Sequence, residues 1–476
     1  MSTTLVLQFP LRGMLRRARD ERPVSEGKRV ATQGCRCLDE DVLATGCARE
    51  VETAAARLRH HFRRPEAYEH AVDYLRGLVA EVERKNGWQL AEHVGYAHPR
   101  AIQRVLDRYA WDAEAVRDDL RAYVVAVFGD PRAVLVVDET GFPKQGTHSA
   151  GVARQYCSTL GKRANCQIGV FLGYASPNGR VGLDRALYLP QEWTDDRARC
   201  RQAGIPDDGS FCTKPQLALE LLERALNAGV PAAWVAADEV YGNDTKFRWA
   251  LEARDQAYVV AVRSDYPVST WPPFGAPDRW TIAAVVAAAL SAGVVQWQRR
   301  SAGEGAQGPR WYDWAYLPVR PGLQDGWVHS VLVRRHPERT HELAYYFVYA
   351  PTGTPLEEAV RVAGARWTIE ETFKAAKGLV GLDHYEVRSW QGWYRHITLA
   401  LLALAALASA TTKGGRSARP RARATSRSPS RRSAGSSSAS SGPPPTHGQA
   451  SPRSWPGPAG AAATRRSPRT ATNVAA

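Results

Sequence analysis

The sequence predicts an α/β fold in which a mixed sheet with flanking helices follows a helical region and is interrupted by a β-rich block. Residues 133–137 and 232–237 are continuous apolar runs, which is typical of strands covered on both faces. Helical patterns at 217–228 and 245–254 alternate with strands, and this alternation indicates a sheet with a parallel part. Between 264 and 351, stretches rich in Trp, Tyr and Val are separated by Gly and Pro, which predicts a further group of strands.

The net charge of +15 is unevenly distributed along the 476 residues. Twelve Lys and Arg residues and no acids lie in residues 409–476, so the preceding part carries a net charge of only +3. We therefore expect any nucleic-acid binding by the folded part to depend on local basic patches rather than on the overall field.

The N-terminal part divides into two segments. Residues 1–48 are rich in Arg and lack sustained periodicity, and we interpret them as a poorly ordered extension. Residues 49–128 have helical periodicity, which predicts a helical region, and we expect this region to bind DNA through a motif within it. Within it, residues 88–109 predict two short helices joined by a turn at Gly95, a helix-turn-helix candidate.

The second helix of this candidate has an apolar inner side and a basic outer side. A cation recurs every fourth residue on the outer side, at Arg100, Arg104 and Arg108. Such a row could contact phosphates or base edges. It is equally typical of a plain helical hairpin with a solvated arginine stripe, and the residues alone do not decide between the two.

The remaining chain divides at changes of pattern. We predict a first core part at 129–263, a β-rich insertion at 264–351 and a second core part at 352–408. From Ser409 the composition changes to Ser, Arg, Pro, Ala and Gly, which predicts a disordered basic tail at 409–476. The abrupt loss of apolar periodicity after Leu407 leads to the hypothesis of a frameshift in the gene.

Two aspartates and one glutamate form the candidate catalytic set. Asp138 and Asp238 each follow an apolar run, so we expect both at strand ends and on the same faces as Val136 and Ala236. The neighbouring Glu139 and Glu239 then point away. Glu370 lies in an amphipathic helix, on one face with Arg366 and Lys377. A surface row of salt bridges would give the same helical pattern, so only the trio is informative.

Three carboxylates without a Cys and His set predict hard metal ions rather than zinc. Phosphodiester cleavage requires activation of the attacking oxygen and stabilisation of the leaving oxygen, and two Mg²⁺ ions supply both. We therefore predict Asp138, Asp238 and Glu370 as ligands of two Mg²⁺ ions, with Mn²⁺ as a substitute.

Several blocks around these acids resemble bacterial insertion-sequence transposases of the DDE superfamily. Residues 134–146 (VLVVDETGFPKQG) resemble the first-aspartate block, and residues 234–242 (WVAADEVYG) resemble the second. Residues 366–370 (RWTIE) with Lys377 resemble the glutamate block. Further similar blocks stand in the expected order at 154–156 (RQY), 165–172 (NCQIGVFL), 187–190 (LYLP), 381–388 (GLDHYEVR) and 393–396 (WYRH).

This resemblance implies an RNase H-like catalytic core with a β-rich insertion before the glutamate. It also implies metal-dependent cutting at terminal inverted repeats and joining of the 3′ ends to target DNA. Asp138, Asp238 and Glu370 match the family triad, while Arg366 and Lys377 match its basic signature, which is expected to contact DNA phosphate. Ala363 departs from the family pattern, which has a tyrosine at that position.

The implied partners are double-stranded DNA, as transposon ends and as target, and a second copy of the chain in a homodimeric synaptic complex. We expect a cytoplasmic, nucleoid-associated bacterial protein without a membrane segment. The family's C-terminal part is not recognisable after Ser409. An alternative is therefore a catalytically defective DNA-binding remnant, and a weaker one is an RNase H-like nuclease without a role in transposition.

Two further groups have alternative interpretations. Lys144 follows the first apolar run and is either a phosphate contact or a solvated turn lysine. Trp297, Trp311 and Trp314 in the insertion could stack on an unpaired base. We favour the interpretation that these tryptophans form the insertion's own small core.

Overall fold

The computed structural model describes residues 40–269, 280–305 and 308–417. Residues 1–39 of the predicted N-terminal extension lie outside the described residues. Residues 418–476, which are most of the predicted basic tail and of the segment attributed to a frameshift, lie outside them as well.

The N-terminal region is helical. Asn86 and Asp112 accept backbone hydrogen bonds at the starts of two of its helices, which explains where these helices begin. The first helix begins at Glu40, inside the segment predicted as a poorly ordered extension. The helices are α1 (Glu40–Arg57), a 3₁₀ turn (Arg59–His61), α2 (Pro65–Val79), α3 (Gly87–His93), α4 (Arg100–Asp107) and α5 (Ala113–Phe128).

The core sheet has the predicted mixture of antiparallel and parallel strands. Its strands are β1 (Val134–Pro143), β2 (Ala153–Cys157), β3 (Lys162–Ser176), β4 (Gly179–Tyr188), β5 (Trp234–Ala237) and β6 (Ala257–Val262). The order is β4-β3-β1-β5-β6, antiparallel from β4 to β1 and parallel from β1 to β6. This is the RNase H-like arrangement, and the predicted fold class is confirmed.

Short helices follow β4 and surround β5. Thr213 forms a capping box with Gln216 at the start of the longest of them, which fixes where the chain turns back towards the sheet. These helices are α6 (Gln191–Thr194), α7 (Arg197–Gln202), α8 (Lys214–Asn227), α9 (Glu239–Gly242) and α10 (Thr245–Glu252).

The insertion extends the core sheet instead of forming a separate one. Its last strand pairs antiparallel with β6, so one sheet of ten strands spans both parts. The insertion also contains a helix that the sequence analysis missed, because the Ala-rich run 282–291 was included in the β-rich block. Its elements are β7 (Pro267–Val268), β8 (Trp280–Thr281), α11 (Ile282–Ser291), β9 (Gln298–Gly305), β10 (Gly308–Pro321), β11 (Trp327–Arg335) and β12 (Leu343–Pro351).

Three C-terminal helices cover the two faces of the sheet: α12 (Leu356–Ala365), α13 (Trp367–Val380) and α14 (Trp390–Ser417). On one face Val136 and Ala236 pack in a cluster with Ile369 of α13. On the other face Leu135 and Leu401 of α14 belong to the larger core. The helix α13 therefore packs on the face of the sheet to which Val136 and Ala236 point.

The last helix corrects the predicted tail boundary. It continues through Ser409 to Ser417, because Ser409 and Ala410 are buried against the rest of the fold. The segment Trp390–Gly414 has the length and apolar composition of a membrane-spanning helix, but 78% of its most apolar stretch is buried inside the protein. This burial is typical of the core helix of a globular domain.

A buried carboxylate joins the first and last helices. Glu50 of α1 accepts hydrogen bonds from the Ser409 hydroxyl at 2.9 Å and from the Lys413 ammonium at 2.7 Å. The Tyr123 hydroxyl donates a third at 3.2 Å. Burial alone would raise the pKa of Glu50, but these partners outweigh it and the pKa lies below its ordinary value. Residues as far as Lys413 therefore make specific contacts within the folded domain.

Lys413→Ala is expected to lower the free energy of unfolding by about 2 kcal/mol at pH 7, because it leaves a buried carboxylate without its cation. A carboxyl with a lowered pKa stabilises the fold above its unfolded pKa, and this contribution is lost as the pH falls through the folded pKa. Denaturant unfolding should therefore show a smaller effect of the substitution in acid. The exposed Lys246 provides the control Lys246→Ala, and equal losses in both variants would contradict the prediction.

Candidate active site

Asp138 and Asp238 lie side by side in the sheet. The parallel pairing of β1 with β5 aligns Val137 with Ala237, and an aspartate follows each of them: Asp138 within β1 and Asp238 just past the end of β5. Pairing with β5 stops there, but β1 continues antiparallel to β3 as far as Pro143. The prediction that Asp138 ends its strand is therefore wrong, because β3 supplies hydrogen-bond partners beyond the apolar run.

Local hydrogen bonds orient both carboxylates. The backbone N–H of Glu139 donates to Asp138 Oδ1 at 2.8 Å. Asp238 caps the short helix α9, and its Oδ1 accepts the N–H of Val240 at 2.9 Å. Asp138 Oδ2 makes a further contact, with Arg366.

The two aspartates are partly buried and electrostatically strained. Burial, and then the negative charge of Asp238, raise the pKa of Asp138 to about 7, although Arg366 opposes the shift. Burial and then Glu139 raise the pKa of Asp238 to about 6. Adjacent, partly buried carboxylates of this kind require a neighbouring positive charge to remain ionised at neutral pH.

Arg366 supplies such a charge and joins Glu370 to the aspartates. Its guanidinium donates to Glu370 Oε1 at 2.9 Å and to Asp138 Oδ2 at 3.5 Å. Arg366 stands at the junction of α12 and α13, and Glu370 lies one turn later. The junction therefore links Glu370 to Asp138 through one shared guanidinium.

The residue chemistry at this position fits hard divalent ions. The donors are carboxylate oxygens, and a cation would relieve the repulsion that raises the pKa of Asp138. Asp138 and Glu370 are held apart, because the guanidinium of Arg366 lies between them. Among the described residues, a different group brings three possible metal-ligand atoms within 4.8 Å of one another. This group consists of His60, His61 and Asp119.

Comparison with known proteins agrees with this geometry. The family described as DDE superfamily endonuclease matches residues 57–282, and the family described as Transposase DDE domain matches residues 213–406. Together the two models cover residues 57–406, so the chain is similar to DDE transposases over most of its described part. A protein of Microchaete diplosiphon named "Probable transposase for insertion sequence element IS701" is 30% identical over 209 residues, which are 42% of this chain and 51% of that protein. The chain thus spans about half the length of this relative.

Glu139 is also part of the site, although the sequence analysis placed it away from the predicted metal ligands. Lys214 Nζ donates to Glu139 Oε1 at 2.5 Å, and the Tyr241 hydroxyl donates to Oε2 at 2.6 Å. Both carboxylate oxygens are therefore occupied, and Glu139 acts on the aspartates through its charge. The sequence analysis missed Lys214 and Tyr241, because the fold brings them from distant segments.

Lys377 has a different environment from the one that the family signature implies. Its ammonium donates to the hydroxyls of Thr140 and Thr159 at 2.9 Å each, and to the carbonyl of Gly141 at 3.3 Å. An ammonium has three donors, and all three are engaged within the protein. Lys377 therefore fastens α13 to β1, and a phosphate contact would require one of these bonds to be exchanged.

Lys144 is neither a free phosphate contact nor a solvated turn lysine. Its ammonium donates to the carbonyl of Tyr385 at 3.1 Å and lies 3.4 Å from the centroid of the Tyr385 ring. Burial lowers the pKa of Lys144 to about 8. These contacts indicate that Lys144 holds the segment after β1 against the chain that precedes α14.

The helix-turn-helix candidate forms two short helices, α3 and α4, and Gly95 takes a positive φ of 88° in the turn between them. Ile102, Val105 and Leu106 face the core as expected. The outer cations Arg100, Arg104 and Arg108 are exposed. They are available to an external anion.

The tryptophans of the insertion have different environments. Trp314 is buried and its indole N–H donates to the carbonyl of Arg300. Trp297 is partly buried beside the guanidinium of Arg335, which lies 4.2 Å from its ring centroid. Trp311 is 52% exposed and does not belong to the core.

Asp138→Asn is expected to stabilise the metal-free protein clearly at pH 8 and much less at pH 4. A carboxyl with a raised pKa binds protons more tightly in the folded protein, so the free energy of unfolding decreases as the pH rises from 3.8 to about 7. The amide removes this cost. Thermal unfolding of both proteins across this pH range, with a chelator present, measures the difference.

The control is Asp130→Asn, because hydrogen bonds from the backbone and side chain of Arg132 lower the pKa of the Asp130 carboxyl. This variant should not be stabilised at pH 8. An Asp138→Asn protein that melts at or below the wild-type temperature at pH 8 would contradict the proposed strain.

Proposed function

We propose that this chain is a metal-dependent transposase that cuts phosphodiester bonds at the terminal inverted repeats of its element and joins the 3′ ends to target DNA. The observation that carries the proposal is the adjacency of Asp138 and Asp238 in the sheet, with Glu370 brought to them through Arg366. Similarity to the DDE superfamily supports the same chemistry.

In this proposal Asp138, Asp238 and Glu370 hold two Mg²⁺ ions, with Mn²⁺ as a substitute. When bound, such ions activate the attacking oxygen and stabilise the leaving oxygen. Asp138 and Asp238 provide fixed ligands, because their positions follow from strand pairing. Glu370 is the adjustable member, since 48% of its side chain is exposed and its contact is with Arg366.

Arg366 has two successive roles in this proposal. Without metal, its guanidinium neutralises Asp138 and Glu370. With the carboxylates engaged by cations, the guanidinium becomes available to a DNA phosphate, which it can bind through two parallel hydrogen bonds. Lys377 and Lys144 are anchored inside the protein, so we assign the phosphate contact beside the carboxylates to Arg366.

The helical region at residues 49–128 is proposed to bind the transposon ends. The exposed row of Arg100, Arg104 and Arg108 on α4 would lie along the DNA. We further propose a homodimer in the synaptic complex and a cytoplasmic, nucleoid-associated location, as befits an enzyme that acts on chromosomal DNA.

Asp138→Asn, Asp238→Asn and Glu370→Gln are each expected to reduce Mg²⁺-dependent nicking of DNA by about 1,000-fold or more, because each removes a ligand of the ions that would stabilise the charge developing at the phosphate. DNA binding in the absence of metal should be retained. A supercoiled-plasmid nicking assay and a gel-shift assay measure the two quantities.

The matched control is Glu371→Gln, which changes an acid on the same helix that faces Arg180 rather than the aspartates. It should retain nicking. Full nicking by any variant of the trio would remove that residue from the mechanism. A wild-type chain that binds the ends without nicking them would favour the alternative of a catalytically defective remnant.

Arg104→Ala is expected to weaken binding to the element's ends more than binding to random DNA, because a cation in the middle of α4 can reach base edges as well as phosphates. Fluorescence anisotropy with both DNAs at one salt concentration measures the difference, and Arg201→Ala on α7 is the control for loss of an exposed charge. An equal loss of affinity for both DNAs would mean that Arg104 contacts only phosphates and does not read the sequence.

A further inference from the structure

A β-hairpin lies beside the candidate active site, and its role does not follow from the family similarity. It is formed by β2 and the first five residues of β3, whose pairing runs from Ala153 with Cys166 to Cys157 with Lys162. The turn ends at Gly161, which has a φ of 62°. β2 is the last strand at its end of the sheet, so its outer edge is open.

The hairpin turn is fastened to β1 and α13, the elements that carry Asp138 and Glu370. The Thr159 hydroxyl donates to the carbonyl of Gly141 at 2.7 Å, three residues after Asp138 on β1. Lys377 of α13 donates to Thr159. The backbone approach is close, because a Cβ on Gly141 would lie 2.5 Å from the Cys157 sulfur. The hairpin position is therefore set by the same strand and helix that set the active site.

The hairpin combines exposed apolar side chains with positive charge. Tyr156 is 60% exposed and Leu160 is 44% exposed, although both are large and hydrophobic. Arg154, Lys162 and Arg163 are exposed around them. The chain has no Asp or Glu between Glu139 and Asp184, so no acid within this segment offsets these cations.

We propose that this hairpin binds an unpaired DNA strand next to the scissile phosphate, with a base stacked on Tyr156. The inference rests on the proposed function. An exposed aromatic ring among cations matches the chemistry of single-stranded DNA, in which bases offer open faces and phosphates lie close by. A paired duplex would use the cations but would leave Tyr156 and Leu160 without a contact. The turn contacts through Thr159 place such a strand beside Asp138 and Glu370.

The test compares two DNA probes in the absence of divalent metal. One is a blunt duplex, and the other is the same duplex with a single-stranded extension of about eight nucleotides, within the usual range for single-strand sites. Fluorescence anisotropy with the full chain should show that Tyr156→Ala weakens binding of the extended probe about tenfold and leaves the blunt duplex unchanged. Tyr156→Phe, which keeps the ring, should bind like the wild type.

The control variant is Trp249→Ala, because Trp249 is equally exposed on α10 and lies outside the hairpin. It should bind both probes normally. Equal losses on both probes with Tyr156→Ala, or a wild-type chain that binds the extended probe no better than the blunt one, would overturn the inference. A change of oligomeric state in light scattering, with no selective loss of binding, would instead assign the hairpin to a subunit contact and also overturn it.

The assay separates this inference from the proposed function. It measures binding without metal, so it requires no catalysis. A selective loss with Tyr156→Ala in a chain that does not nick DNA would support the strand-binding hairpin and contradict the enzyme. Mg²⁺-dependent nicking that is lost with Asp138→Asn, together with normal binding of both probes by Tyr156→Ala, would support the enzyme and contradict the strand-binding hairpin.

Discussion

The partial burial of two carboxylates side by side is the constraint on which the rest of this structure depends. Asp138 and Asp238 are adjacent because β1 and β5 pair in parallel register, and burial and repulsion raise the pKa of both. Such a pair requires a positive charge from outside the sheet. Arg366 provides it from the junction of α12 and α13, and the same junction brings Glu370 to the site. The electrostatic requirement thus couples the sheet to the helix that completes the trio.

Strand β1 can position this pair because it has different neighbours along its length. It pairs with β5 on one side only up to Val137, whereas β3 continues on the other side to Pro143. The carboxylates of Asp138 and Asp238 follow the last residues that β1 and β5 pair. The extended part of β1 then receives Lys377 and the hairpin turn through Thr140 and Gly141. A single strand therefore carries Asp138 and contacts both the helix of Glu370 and the proposed strand-binding surface.

Much of the fold and part of the site follow from local patterns. Alternation along each strand assigned Val136 with Asp138 and Ala236 with Asp238 to common faces, and the structure packs α13 against Val136 and Ala236. Other features escaped, because they depend on partners distant in sequence. The burial of Lys144 depends on Tyr385, and the extension of α14 past Ser409 depends on Glu50. The joining of the insertion to the core sheet depends on the pairing of β12 with β6.

The sequence by itself determined which residues can share a strand or helix face, since strand and helix periodicities are properties of the local backbone. It thereby singled out Asp138, Asp238 and Glu370 as a set. Only the tertiary structure decided what surrounds them, because the engagement of Lys377 with Thr159, of Glu139 with Lys214 and of Arg366 with two carboxylates joins segments far apart in the chain. These charged groups come together only through strand pairing and helix packing, and local sequence patterns do not predict such contacts.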